Sequence, residues 1–194
     1  MSEQDDYHES HDGRGADTPA WGRALTRADL DAMPDDGRKY EIIDGALIVS
    51  PAPRIRHQRA VRNLLFVLQH ALPDGLELLF APVDVVLADD TVIQPDLLVA
   101  PRTAFTERDL PVAPLLAVEV LSSSSRSIDL NLKKDRLERA GCANYWVIDP
   151  DEPSIVAWQL AGGVYRQVAS AAGAQQFAIR DPFLVQFTPM SILV

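Results

Sequence analysis

Hydrophobic residues follow two different spacings along this chain, one typical of helices and one typical of strands. From about His57 the apolar residues recur every three or four positions, at Val61, Leu64, Leu65, Leu68 and Leu72. This spacing puts them on one face of a helix. Short apolar runs predict strands over residues 76–80, 83–87, 92–100, 115–121 and 145–148. We therefore expect a helix that packs its apolar face against a sheet.

Turn-forming residues divide the two ends of the chain into short elements. Thr26 predicts the N-cap of a short helix that ends at Pro34. Asp44-Gly45 lies between apolar runs within residues 40–49, and this dipeptide favours a two-residue β-hairpin turn. Apolar runs at 155–160, 164–168 and 177–179 are separated by turns. They predict a C-terminal β-meander without candidate chemistry.

Two carboxylates interrupt runs that otherwise resemble core strands. Asp96 precedes the apolar residues 97–100, and Glu119 lies inside the run 115–121. Ionised carboxylates are seldom buried unless a partner compensates their charge. A divalent cation such as Mg²⁺, which prefers oxygen ligands, would be a suitable partner. The alternative is that Asp96 caps a turn after Pro95 and that Glu119 faces solvent on an edge strand.

A lysine is predicted to point toward the core from a helix over about residues 127–140. At about 100° per residue, Lys133 lies within roughly 30° of the centre of an apolar stripe. The apolar residues on that side are Leu130, Leu137 and Ala140. A buried lysine needs acidic partners or a catalytic task, and we favour catalysis. Asp129 offers the alternative of a simple i,i+4 ion pair within the helix.

Charge is distributed unevenly along the 194 residues, whose net charge is −10. Residues 1–18 hold six acids and one base, so half of the excess lies there. This segment has few large apolar residues, and we expect a disordered acidic tail in which His8 and His11 are solvated. The remainder, residues 19–194, is long enough for one domain.

The composition also limits where the protein functions. One cysteine excludes an intramolecular disulfide framework. No apolar stretch approaches the roughly 20 residues that span a bilayer. The acidic start lacks the basic and apolar regions of a signal peptide. We therefore expect a cytoplasmic protein that does not enter the membrane.

Four arginines gather near the start of the central predicted helix: Arg54, Arg56, Arg59 and Arg62. They form a basic patch in an otherwise acidic chain. The patch would suit a phosphate backbone, although a solvated helix face is an equal alternative. His57 stands at the helix entrance, where it would contact substrate, cap the helix or pack. Arg54, Arg56, Arg59 and His57 are our candidate substrate contacts.

The order of these motifs resembles the PD-(D/E)XK nuclease superfamily, and within it the Uma-two family of restriction endonucleases, which is common in bacteria. The resemblance lies between residues 25 and 160 and rests on these segments: Tyr40-Glu41-Ile42-Ile43-Asp44-Gly45, His57, Pro95-Asp96, Glu119-Val120-Leu121-Ser122 and Asp149-Pro150. It implies an α/β (α+β) fold, with a restriction-endonuclease-like mixed β-sheet core flanked by helices.

The resemblance also implies an activity and a set of site residues. Asp96 and Glu119 would bind Mg²⁺, for which Mn²⁺ would substitute, and the Val120 carbonyl would complete the metal shell. Glu41 would be an additional acidic residue, and Lys133 would orient or activate the attacking water. Such a protein would hydrolyse phosphodiester bonds, with DNA as the expected substrate. By analogy with the fold alone, a homodimer would place two sites against two strands.

The chain departs from the superfamily pattern at the lysine. That residue usually follows the glutamate by two positions, where this chain has Leu121. In the Uma-two family the lysine lies in the following helix, which agrees with the inward direction derived for Lys133. The alternative function is a catalytically silent nuclease fold that serves as a binding or assembly module. The low pI of about 4.7 favours this alternative.

Overall fold

The computed structural model describes residues 22–194. The predicted acidic tail, residues 1–18, lies outside the described residues. The helices are α1 (Arg27–Asp31), α2 (Ile55–Ala71) and α3 (Lys134–Ala140), and a π-helical segment, Ile128–Lys133, runs directly into α3. The strands are β1 (Lys39–Ile43), β2 (Ala46–Ser50), β3 (Leu76–Phe80), β4 (Asp84–Ala88), β5 (Thr91–Ile93), β6 (Leu97–Pro101), β7 (Asp109–Leu110), β8 (Leu116–Val120), β9 (Asn144–Asp149), β10 (Ser154–Ala161), β11 (Val164–Ala172), β12 (Phe177–Ile179) and β13 (Val185–Phe187). Short 3-10 helices span Arg102–Ala104 and Pro189–Ile192. None of the helices between residues 22 and 194 has both the length and the apolar character needed to cross a membrane.

Two mixed sheets contain most of the strands. The five-stranded sheet has the order β2-β1-β5-β4-β7, and the six-stranded sheet has the order β11-β10-β9-β8-β6-β3. β8 runs parallel to β9, and β4 runs parallel to β7, whereas the other neighbours are antiparallel. Parallel neighbours need a crossover connection. The π-helical segment and α3 provide it between β8 and β9.

The predicted hairpin is confirmed. β1 and β2 pair antiparallel around Asp44 and Gly45, which have φ angles of 49° and 76°. Positive φ at both central residues is the geometry that a tight two-residue hairpin requires. A Cβ added at Gly45 would lie 2.6 Å from the Cβ of Ala24, so this position has no space for a side chain.

The central strands of the six-stranded sheet, β6, β8 and β9, are buried on both faces. Successive side chains of a strand point to opposite sides, so the two faces pack in different clusters. In β6, Leu97 packs in a core cluster with Leu64 of α2. Its neighbour Leu98 packs in a second cluster with Leu137 of α3. Burial on both faces explains why β6 and β8 are continuous apolar runs rather than alternating ones.

The prediction of a single strand over residues 92–100 is wrong, because the chain passes from one sheet to the other within this range. β5 belongs to the five-stranded sheet and β6 to the six-stranded sheet. Between them lies Gln94-Pro95-Asp96. Proline has no N–H to donate, so a strand ladder is readily interrupted at Pro95. The interruption leaves Asp96 at the junction of the two sheets.

The predicted C-terminal meander is also corrected. β10 and β11 extend the six-stranded sheet as a hairpin, but β12 leaves that sheet and pairs with β13, a strand that the sequence did not predict. Phe177 and Phe187 from this small sheet pack in the same cluster as α2. Their apolar contacts, rather than continued strand pairing, determine where the C-terminal segment lies.

Candidate functional site

β8 presents Glu119 on the α3 side of the sheet. Its neighbours Val118 and Val120 pack in the cluster with α2, whereas Ala117 packs in the cluster with α3. Alternation therefore places Glu119 on the same side as Ala117. β8 is an interior strand, and Glu119 is only 2% exposed. The alternative of a solvent-facing carboxylate on an edge strand is wrong.

Lys133 lies at the centre of three buried carboxylates. Its Nζ is 2.9 Å from Oε1 of Glu41, 3.0 Å from Oε1 of Glu119 and 3.5 Å from Oδ1 of Asp129. The lysine is 2% exposed, which confirms the predicted inward direction. The i,i+4 pair with Asp129 is present as well, but the two closer partners come from β1 and β8. One ammonium group thus connects both sheets to the crossover.

The helix geometry around Lys133 differs from the expected one. Residues 128–133 form a π-helical segment, and such turns occur frequently at functional sites. Leu137 is buried as predicted, but Ala140 is exposed. The 100° spacing of an α-helix does not hold through a π turn, so the predicted stripe does not extend to Ala140.

Asp96 is held by two hydrogen bonds to the same oxygen. Val120 donates its backbone N–H to Oδ2 at 2.8 Å, and His57 Nε2 lies 3.1 Å from that atom. His57 projects from the buried side of α2 and is 9% exposed. Because N–H and C=O of one strand residue point to the same edge, the Val120 carbonyl lies on the Asp96 side of β8. Both hydrogen bonds end on Oδ2, so neither of them occupies Oδ1.

Glu41 is fixed from the five-stranded sheet. It is 1% exposed, and its Oε1 accepts the backbone N–H of Gln94 at 2.7 Å. Its other oxygen, Oε2, lies 3.9 Å from Nζ of Lys39. Gln94 precedes Pro95 and Asp96, so the same sheet junction positions both carboxylates.

Burial and neighbouring charges shift the pKa values of these groups in different directions. Burial would lower the pKa of Lys133, but the charges of Glu119, Glu41 and Asp129 outweigh burial and raise it well above the usual value. Burial raises the pKa of Glu119 well above its usual value, and burial also raises that of Asp129. Burial would likewise raise the pKa of Asp96, but the hydrogen bond from His57 and the charge of Lys39 outweigh it and lower that pKa. Asp96 therefore ionises more readily than Glu119.

A cleft of about 700 Å³ opens onto this cluster. Its floor includes the acidic residues and Lys133, and the serine turn at residues 122–125 lines one side. Arg38, Lys39 and Arg54 supply positive charge along the lining, and Phe80 is also part of it. The floor is thus acidic while part of the lining is basic.

The structure brings together most of the predicted site residues. Glu41, His57, Asp96, Glu119 and Lys133 all line the cleft. Of the candidate arginines, Arg54 lines it as well. Arg56 and Arg59 are exposed on α2 and do not line the cleft.

The sequence pattern indicates Asp129 only as an ion-pair partner of Lys133 within the helix. The structure adds it to the acidic floor, where it is 1% exposed. The sequence signal for this position is its separation of four residues from Lys133, which places both side chains on one helix face. The contributions of Lys39, Gln94 and Phe80 depend on the path of distant segments and had no counterpart in the sequence patterns.

Comparison with known proteins agrees with this architecture. The crystal structure of a putative nuclease belonging to DUF820 from Anabaena variabilis ATCC 29413 is similar to this chain, with a TM-score of 0.72 and 16% identity. The alignment covers 88% of this chain and 99% of that one, which confirms the predicted restriction-endonuclease-like fold. No curated protein matches the chain. The Uma2 family, described as "Putative restriction endonuclease", matches residues 27–192. Because this match covers most of the chain, the protein belongs to the Uma2 family.

Proposed function

We propose that this protein is a Mg²⁺-dependent endonuclease that hydrolyses phosphodiester bonds of DNA. The observation that carries the proposal is the convergence of Asp96, Glu119 and Lys133 at the floor of one cleft. Burying charged groups costs several kcal/mol per ion, so a fold has little reason to collect them for stability alone. Perturbed buried charges in a cleft are typical of functional sites.

The donor set suits a hard cation that retains water. Within residues 22–194 no group of three or more His, Cys, Asp or Glu side chains is arranged to hold a metal ion by itself. Mg²⁺ does not require such a cage, because one or two carboxylates with water and substrate phosphate suffice. Asp96, Glu119 and the Val120 carbonyl would hold it, and Mn²⁺ would substitute. The bound ion would supply positive charge for the phosphoryl oxygens and a more acidic water.

Lys133 would orient the attacking water. An ammonium group has three N–H donors, and here all three have carboxylates nearby. The contact with Asp129, at 3.5 Å, is the longest and weakest. A water that replaced Asp129 as the acceptor of this third N–H would be oriented by it, while the contacts with Glu41 and Glu119 hold Nζ in place.

The basic part of the lining would receive the phosphate backbone. Arg54 lies beside the floor, so it would contact a phosphate near the bond that is cut. Arg56 and Arg59 lie farther along α2 and would contact flanking phosphates. Each phosphate contact adds to the salt dependence of binding. Positive charge at these positions offsets the repulsion expected from a net charge of −10.

The test combines metal binding with cleavage. Purified protein is titrated with Mn²⁺ in a calorimeter and incubated with supercoiled plasmid, Mg²⁺ or Mn²⁺, and low salt. Wild type should bind the ion and nick the plasmid. Asp96→Asn and Glu119→Gln should weaken both by more than about 100-fold, since losing a ligand should exceed the 10- to 100-fold effect of losing its supporting partner.

Asp109→Asn is the matched control. Asp109 is also a buried carboxylate, 6% exposed, but it pairs with Arg27 and does not line the cleft. This variant should retain metal binding and nicking. Wild type that neither binds Mn²⁺ nor cuts plasmid would overturn the proposal and favour a catalytically silent nuclease fold that acts as a binding module.

A further inference from the structure

An exposed phenylalanine stands beside the acidic floor. Phe80 is the last residue of β3, is 55% exposed, and lines the cleft. It pairs across the sheet with Leu97, the residue that follows Asp96. The next residue, Ala81, donates its backbone N–H to the Asp96 carbonyl at 3.1 Å. Backbone pairing therefore fixes the segment that carries this aromatic side chain next to Asp96, the proposed metal ligand.

The surroundings of Phe80 match the parts of a nucleotide. Val61 and Pro82 also line this cleft and add apolar surface. Arg38, Lys39 and Arg54 line it too and offer cations for phosphate. An apolar aromatic face and a set of cations in one cleft complement a base and its phosphate.

We propose that Phe80 stacks on a nucleobase of the strand whose phosphate enters the cleft, so that the site favours unpaired bases over a closed duplex. In a duplex both faces of each base are covered by its neighbours, so an aromatic side chain reaches a base face only where the strand is unstacked. Single-stranded or locally opened nucleic acid is therefore the substrate class. This inference rests on the proposed nuclease function.

The test measures binding without cleavage. Fluorescence anisotropy is recorded with a labelled single-stranded oligonucleotide and with the same sequence as a closed duplex, with Ca²⁺ replacing Mg²⁺. Wild type should bind the single strand more tightly. Phe80→Ala should weaken single-strand binding by about 5- to 100-fold, the usual effect of losing one stacked base, and Phe80→Trp should preserve it.

Phe66→Ala is the control. Phe66 is 66% exposed on α2 and does not line the cleft. Its removal should leave binding of both oligonucleotides unchanged. Single-strand affinities of Phe80→Ala and wild type that agree within about twofold would overturn the stacking assignment, since one stacked base contributes more than that. Tighter binding of the duplex by wild type would overturn it too.

The two proposals can fail separately. Phe80-dependent binding of the single strand by a protein that cuts no nucleic acid with Mg²⁺ or Mn²⁺ would overturn the nuclease proposal and support the stacking assignment. Cleavage that requires Asp96 and Glu119 but is equally fast in wild type and Phe80→Ala, with single-stranded substrate well below saturation, would overturn the stacking assignment alone.

Discussion

Replacing Lys133 with methionine should destabilise the protein strongly. The substitution keeps most of the side-chain volume but removes the charge that compensates Glu41, Glu119 and Asp129. Breaking a buried charge pair on one side costs about 3–5 kcal/mol. For a chain of this size that loss lowers Tm by about 6–20 °C. Equilibrium unfolding in urea, followed by tryptophan fluorescence, measures the loss directly because Trp146 is buried in the core.

The loss should depend on pH in a defined direction. Burial already raises the pKa of Glu119 in the folded protein, and the Lys133 charge opposes that rise. Without the lysine the folded protein holds this proton still more tightly than the unfolded chain does. Stability then falls as pH rises above the unfolded pKa of about 4.3. The raised pKa of Lys133 itself adds no slope below pH 8, because its stabilisation is complete below the unfolded lysine value of about 10.4.

Lys134→Met provides the control for Lys133→Met. Lys134 is half-buried, with its Nζ 4.7 Å from the ring centre of Trp158. Its replacement should lower the free energy of unfolding by only about 0.5–1 kcal/mol. A free energy of unfolding that Lys133→Met lowers by less than about 1 kcal/mol, equally at pH 5 and pH 8, would refute the reasoning, because broken buried pairs cost more. It would mean that the carboxylates do not surround this ammonium in solution.

Three other predictions concern separate parts of the structure. His57→Ala should weaken Mn²⁺ binding by about 10- to 100-fold in calorimetry, because Asp96 loses the hydrogen bond that positions it. His57→Gln, which retains a donor, should restore part of the affinity. Equal Mn²⁺ affinities in wild type and both variants would contradict a positioning role for His57. The Cys142 thiol is fully buried, and burial raises its pKa to about 11. Ellman's reagent at pH 8 should therefore label Cys142 only after unfolding. Rapid labelling of the native protein would show instead that the structure around Cys142 opens. Gly45→Ala should lower the free energy of unfolding by about 2 kcal/mol or more, because the new Cβ meets Ala24. Gly75→Ala, also at positive φ but with open space around it, should lower it by about 1 kcal/mol. Equal losses would argue against the close approach of Ala24 to Gly45.

Local patterns were sufficient for several elements. The Asp44-Gly45 turn was predictable because positive φ at two successive residues is a property of those residues and needs no distant contact. The apolar stripe of α2 was predictable because helix periodicity is local. The inward direction of Lys133 was predictable in the same way. The prediction that Ala140 lies on the same buried side is wrong, because the π-helical turn changes the helical spacing.

The sequence alone determined that carboxylates and a lysine stand inside apolar elements, because burial of β8 and of the crossover helix is written in their hydrophobic patterns. Only the tertiary structure decided which of these charges meet. The contacts of Lys133 with Glu41 and Glu119 join residues far apart in the chain, and they depend on the sheet change at Pro95 and on the π-helical turn. The pairing of His57 with Asp96 likewise depends on where α2 crosses the sheet. Such contacts follow from the packing of whole elements, which local periodicity does not contain.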